Sequence, residues 1–282
     1  MPADRIASNL ALINWTVLTS LAVGTFAVVV LARLRTPATR GYLVFTALCA
    51  VAFGVLAYLS DTGLPPVAPG SPISANDALD VPRRSALALF VVLALITTLV
   101  IARGGSGRIP LLLGGALGVG VMLLGAATWG VDVVAAVPLA VQLLVLAAAT
   151  GGVFAAMILG HWYLVTPKLP EEPLVLVSRR LLWIVALQVA LFAAWVGFGI
   201  GPGANASGGG PFAALVGPWA LFVWLRLIVG LVFPLVVTWA ALQTAKTRSM
   251  ESATGLLYID VGAIAAGTIL AAGLYFGAGL LV

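Results

Sequence analysis

Eight apolar stretches, each long enough to cross a lipid bilayer, follow one another along this chain. We place them at about residues 10–33, 41–60, 85–103, 110–130, 133–166, 174–200, 212–243 and 253–281, because roughly 20 apolar residues span the hydrocarbon core as a helix. No apolar–polar alternation marks β-barrel strands, and runs of this length rich in Ala and Leu read as helices. Of the 282 residues only 8% are charged and 62% are hydrophobic, against about 25% charged and about 45–50% apolar in soluble domains. So few charges cannot cover a soluble surface, and a disordered chain needs the opposite balance. The expectation is an all-α polytopic membrane protein, a bundle of eight transmembrane helices forming one domain over residues 1–282. A weak four-plus-four division at 1–130 and 131–282 is suggested by the long loop after the second helix of each half. The first stretch exceeds a signal-peptide core and is read as a retained helix.

Basic residues set the expected orientation. Arg33, Arg35, Arg40, Arg103, Arg108, Lys168, Arg179, Arg180, Lys246 and Arg248 fall in the odd-numbered loops, ten of the 14 in the chain. The positive-inside rule then puts those loops in the cytoplasm and both termini outside, as for a multi-pass protein of the cell membrane. Trp15, Tyr58, Trp129, Trp195, Trp219 and Tyr275 fall near the expected outer ends. Tyr42, Trp162, Tyr163, Trp183, Trp239 and Tyr258 fall near the inner ends. They are expected to form two headgroup belts, with Trp224 as the exception inside the seventh span.

Two outer loops stand out. Residues 61–84 hold Pro65, Pro66, Pro69, Pro72 and Pro82 with Asp61, Asp77 and Asp80, and Ser74-x-x-Asp77 has the form of a helix start. Residues 201–211 are nearly all Gly, Pro, Ala, Ser and Asn, and include the triplet Asn205-Ala206-Ser207, a glycosylation pattern that is common by chance. Both read as surface connections, the longer one with the alternative role of docking an external partner.

The counts exclude several chemistries. One cysteine, Cys49, and one histidine, His161, cannot supply a disulfide framework, an Fe–S cluster, a three-His metal site or bis-histidine haem. No phosphate-binding loop, zinc-protease or nucleophile-elbow motif has a fitting context. The net charge of +5 reads as topology, since no basic stripe points to nucleic acid. Neither a covalent cofactor nor a metal is expected.

Small residues at spacing four, Ala148, Gly152, Ala156 and Gly160, with Gly114 and Gly118, read as packing seams. Pro138 and Pro234 are expected to kink the fifth and seventh spans. Asn14, Gln142 and Gln188 read as interhelical glue, and Met122 and Met157 as packing residues.

Ionisable groups inside spans are costly, roughly 2.5–3.5 kcal/mol each on insertion scales, and are candidates for function. Arg226 and Asp260 qualify. Counted from the belts they differ in depth by roughly 15 Å or more, too far for an ion pair. His161, Asp260 and Tyr258, with Arg179 or Arg180, are expected to converge at the inner belt. Such a site suits a quinone or a proton relay; the alternative is an exposed histidine and a salt-bridged aspartate. For Arg226, the functional role is a counter-charge for an anionic ligand or lipid headgroup. The structural alternative is an arginine that snorkels, or bonds Asp132 or carbonyls freed by Pro218.

Gly160-His161-Trp162-Tyr163-Leu164 and Ser252-Ala253-Thr254-Gly255-Leu256-Leu257-Tyr258 are motif-like segments. In helix number and size, though not in motifs, the chain resembles the quinone-binding membrane anchors of the polysulfide-reductase and dimethylsulfoxide-reductase type. That likeness implies a quinone-binding subunit that works with redox partner subunits. A small-molecule transporter and a ligand-free structural membrane subunit are the alternatives.

Overall fold

The computed structural model describes residues 1–67, 70–166, 168–204 and 210–282. Pro69 and the Asn205-Ala206-Ser207 triplet therefore lie outside the described residues. Among the described residues, eight helices are long and apolar enough to cross a membrane, and no strand forms. The chain is built as a multi-pass integral membrane protein.

A short α1 (Pro2–Ser8) leads into α2 (Leu10–Arg35), followed by α3 (Arg40–Thr62), α4 (Asp80–Ala102), α5 (Arg108–Trp129), α6 (Val133–Val165) and α7 (Glu172–Phe198). The seventh crossing is composite: α8 (Ala220–Leu227), a π-helical turn (Ile228–Val232) and α9 (Phe233–Lys246). The last helix is α10 (Met250–Ala278). Local chemistry sets the ends. Asp132 caps α6 by accepting from the Ala135 N–H at 2.7 Å. Left-handed Gly199 and Gly279, with φ of 63° and 67°, end α7 and α10.

Three boundaries differ from those expected. α4 starts at Asp80 rather than near 85, because the charges of its first turn are paired within the bundle. The seventh crossing starts at Ala220 rather than 212, because Pro211, Gly217 and Pro218 hold the preceding residues in turns around a 3₁₀ segment, Ala213–Leu215. The segment after Asn76, whose side chain accepts from the Ala78 N–H at 3.2 Å, is a single 3₁₀ turn running into α4, so Asn76 and not Ser74 is the cap.

α2 is central and packs on α6, α3, α5 and α10. Its crossing with α6 brings the Gly24 and Gly151 backbones together, and a side chain on either would strike the opposing main chain. Gly160 meets Thr254 of α10, and Gly114 and Gly118 meet Phe26 and Val23 of α2, so the small-residue stripes are packing seams.

The basic loops gather at one end. Arg33 donates to the carbonyls of Ser106 and Gly105, and Arg248 pairs with Glu171. The opposite end holds the N terminus and ties loops together by Asn76 N–H to Thr128 O and Gly203 N–H to Gly279 O. Beyond Gly279 the segment Leu280–Val282 turns back into the bundle and is buried. The expected aromatic belts are incomplete at both ends, since Tyr42 and Tyr163 at the basic end are buried as well. At the basic end Trp183, Trp239 and Tyr258 are exposed, as belt residues should be. At the other end Trp15, Trp129 and Tyr275 are buried and serve the core: Trp15 packs edge-on against Trp129 with ring centroids 4.7 Å apart.

Candidate functional site

The seventh crossing carries its own break, and Pro234 explains much of it. Proline has no N–H to return to the carbonyl four residues earlier, so the Gly230 oxygen is released. Arg226, four residues earlier again, fills that vacancy: one terminal guanidinium nitrogen donates to the Gly230 oxygen at 3.1 Å. The other donates to Gln188 Oε1 of α7 at 2.8 Å. Gln188 is fixed in turn by its amide, which donates to the Val145 carbonyl of α6 at 3.2 Å. The Arg226 Nε has no partner. The side chain is only 2% exposed, and among the described residues no acidic side chain pairs with it. The result is a guanidinium held among α6, α7, α8 and α10 by neutral groups, with one N–H to spare. Arginine keeps its charge under ordinary conditions, so the site is electropositive.

Close approach makes room for it. Gly230 and Gly267 bring the π-helical turn against α10, and the guanidinium lies beside both glycines. A side chain at Gly267 would meet the Arg226 nitrogen at 2.7 Å.

Beside this group a cleft of about 600 Å³ opens between α6 and α7. Its walls are Val134, Val137, Pro138, Val141, Leu191 and Ile200, with Asp132 at the rim. Val134 and Val137 are 81% and 61% exposed, so the mouth opens on the outside of the bundle, beside the start of α6 and the end of α7. A narrow second cavity lies behind it, lined by Gln142, Gln188 and Arg226. Leu191 and Trp195 line both and form the wall between them. Gln142 also bonds the Val282 N–H through its Oε1 at 3.3 Å. The apolar cleft and the polar cavity are thus separate spaces, and the second, of about 10 Å³, is lined by two amides, one cation and Val282.

The other sequence-predicted residues are placed as follows. His161 and Tyr258 do meet, with Nδ1 and the phenol oxygen 3.5 Å apart, at the exposed basic end. Asp260 is two residues from Tyr258 but on the opposite side of α10, and accepts from the Thr238 hydroxyl of α9. Arg179 and Arg180 are exposed on α7 and make no ion pair. The expected four-residue convergence is therefore not formed; a His161–Tyr258 pair is. Arg226 bonds neither Asp132 nor carbonyls freed by Pro218, and the proline that matters is Pro234. Arg226 and Asp260 form no ion pair, but they are closer in depth than counted. Arg226 lies beside Gly267, seven residues along α10 from Asp260, about 10 Å at 1.5 Å per residue.

A second buried cluster is missed by sequence reasoning. Asp61, fully buried at the end of α3, accepts from Trp15 Nε1 at 2.8 Å, from Arg83 Nε at 2.9 Å and from Arg84 Nε at 3.1 Å. Arg83 also donates to Asp80 at 2.7 Å and stacks over the Trp129 ring at 4.7 Å. Two acids face two bases, and both Asp61 oxygens have partners. The cluster is a clasp joining α2, α3, α4 and α5, with no spare valence for a ligand.

Searches against known families, curated proteins and solved structures give no match.

Proposed function

We propose that the protein binds a lipid-soluble ligand of the quinone class in the α6–α7 cleft and serves as the membrane subunit of a redox assembly. The observation that carries this reading is the spare Nε–H of Arg226 behind an apolar cleft. A quinone offers carbonyl acceptors at one end and an apolar tail at the other. The tail would lie along Val134, Val137 and Val141, and the head would reach Arg226 once Leu191 and Trp195 turn aside and widen the cavity of about 10 Å³ behind them. Quinones need no counter-ion, and a fixed cation with no carboxylate partner favours a head that gains negative charge on reduction. One cysteine and one histidine leave the chain few ligands for an electron carrier, so the electrons would come from a partner subunit. The basic end faces the cytoplasm in this proposal, with both termini across the cell membrane.

The test is a titration of the protein in lipid nanodiscs with a short-chain quinone, read by quenching of tryptophan fluorescence. Saturable quenching is expected, with at least tenfold weaker binding in Arg226→Leu and no change in His161→Ala. Equal affinity in the wild type and Arg226→Leu, or quenching that never saturates, would overturn the proposal.

A transport role is the second reading. The observation favouring it is the π-helical turn between Arg226 and Thr238, since interrupted helices with interior polar groups mark many transporters. Substrate-driven uptake into liposomes holding the protein alone would favour that role over the first.

A further inference from the structure

Asp260 takes no part in the cleft, in the Asp61 clasp or in the His161–Tyr258 contact. Its side chain is wholly buried, ten residues into α10 and between that helix and α9. Oδ2 accepts from Thr238 and Oδ1 has no partner at all.

The helices packed on α10 offer no compensating charge. α8 brings Arg226, which is beside Gly267 and bonded to Gly230 and Gln188. α6 brings His161, which faces Tyr258. α2 brings Arg33, which is bound to loop carbonyls at the basic end, and Arg35, which is exposed in its last turn. α9 carries Lys246 in its last turn, eight residues beyond Thr238, and α1 carries Arg5 at the opposite end. None of them forms an ion pair with Asp260. An ionised carboxylate with one hydroxyl donor and no cation bonded to it costs far more to bury than a neutral acid group with one unmade hydrogen bond.

We propose that Asp260 is a proton-binding site inside the membrane. The carboxyl holds a proton in the resting protein and gives it to water only when α9 and α10 part enough to admit water to Oδ1. The step is a simple ionisation: the O–H bond breaks, the electron pair stays on the carboxylate and the proton leaves as hydronium. An intramembrane acid of this kind belongs to a protein whose cycle moves protons, as quinone reduction and proton-coupled transport both do. The inference stands on the Asp260 surroundings alone, and the cleft can be empty without affecting it.

The chain makes the test clean. Of its nine carboxyl side chains, Asp61 is tied to two arginines, and the other seven are exposed or half-buried near helix ends. Among the described residues Asp260 alone is a carboxyl side chain buried without a cationic partner. Infrared spectra of the quinone-free protein in nanodiscs are expected to show one protonated-carboxyl C=O band. The band should move in deuterated water and when aspartate is supplied with a heavy-carbon carboxyl, and it should vanish in Asp260→Asn. The isotope label needs no variant, so the test survives if Asp260→Asn fails to fold. No such band at neutral pH, a band that ignores the aspartate label, or a band that persists in Asp260→Asn would overturn the proposal.

Discussion

Asp61 shows what a charge does in this protein when its partners are built in. It sits 46 residues from Trp15 and 22 from Arg83, and three side chains from three different positions close on its two oxygens. Removing it leaves Arg83 buried with only Asp80 to face it. Asp61→Ala is expected to cost about 3–5 kcal/mol, read as a large drop in the thermal unfolding midpoint in detergent. Gln188→Leu strips Arg226 of its amide acceptor and is expected to cost about 1–3 kcal/mol. The two losses should add, because the clasp and the Arg226 site share no partner. From the sequence Asp61 reads as a loop charge, since nothing local announces its contacts with Trp15, Arg83 and Arg84. The Arg226 site is different. Arg226, Gly230 and Pro234 stand at spacing four, which is the distance between a proline and the carbonyl it releases, so the sequence carries this half of the site even though the expectation assigned the freed carbonyls to Pro218. Gln188 was legible only as an interhelical polar group, and its place against Arg226 depends on how α7 packs.

At the scale of elements, length and apolarity specified all eight crossings, because a bilayer demands about 20 apolar residues and admits little else. The misplaced ends lie where polar groups are paired inside the bundle, as at Asp80, or where proline and glycine delay the helix, as before Ala220. The missed π-helical turn follows from the Pro234 lesion and the Gly230–Gly267 approach, and only the first of these is local. The α2–α6 crossing offers a sharp contrast between glycines. Gly151 touches the main chain of α2, whereas Gly262 has open space around it. Gly151→Val is expected to destabilise by at least the roughly 1–3 kcal/mol typical of overpacking, because backbone cannot move aside as a side chain can. Gly262→Val should leave the unfolding midpoint within a few degrees of the wild type. Equal effects of the two would mean that the α2–α6 seam is not where the bundle is tightest.

For the molecule as a whole, the two ends differ in kind. One end gathers the basic loops and keeps Trp183, Trp239 and Tyr258 on its surface; the other holds the Asp61 clasp, with Trp15 and Trp129 buried around it. Charge asymmetry predicts that the basic end is cytoplasmic. Cys49 lies within α3, so engineered thiols report on the loops. Ser74→Cys is expected to react with a membrane-impermeant maleimide in intact cells, and Ser106→Cys only after permeabilisation. The reverse pattern would invert the molecule in its membrane.

The central claim is that a lipid-soluble ligand enters between α6 and α7 and is held at Arg226. A photoreactive quinone, cross-linked in nanodiscs and mapped by peptide mass spectrometry, tests it most directly. Labels are expected on α6 around Val134–Val141 and on α7 around Leu191–Trp195, and excess unmodified quinone should abolish them. Labels clustered at His161 and Tyr258 instead, or spread over every lipid-facing helix and indifferent to competitor, would contradict it.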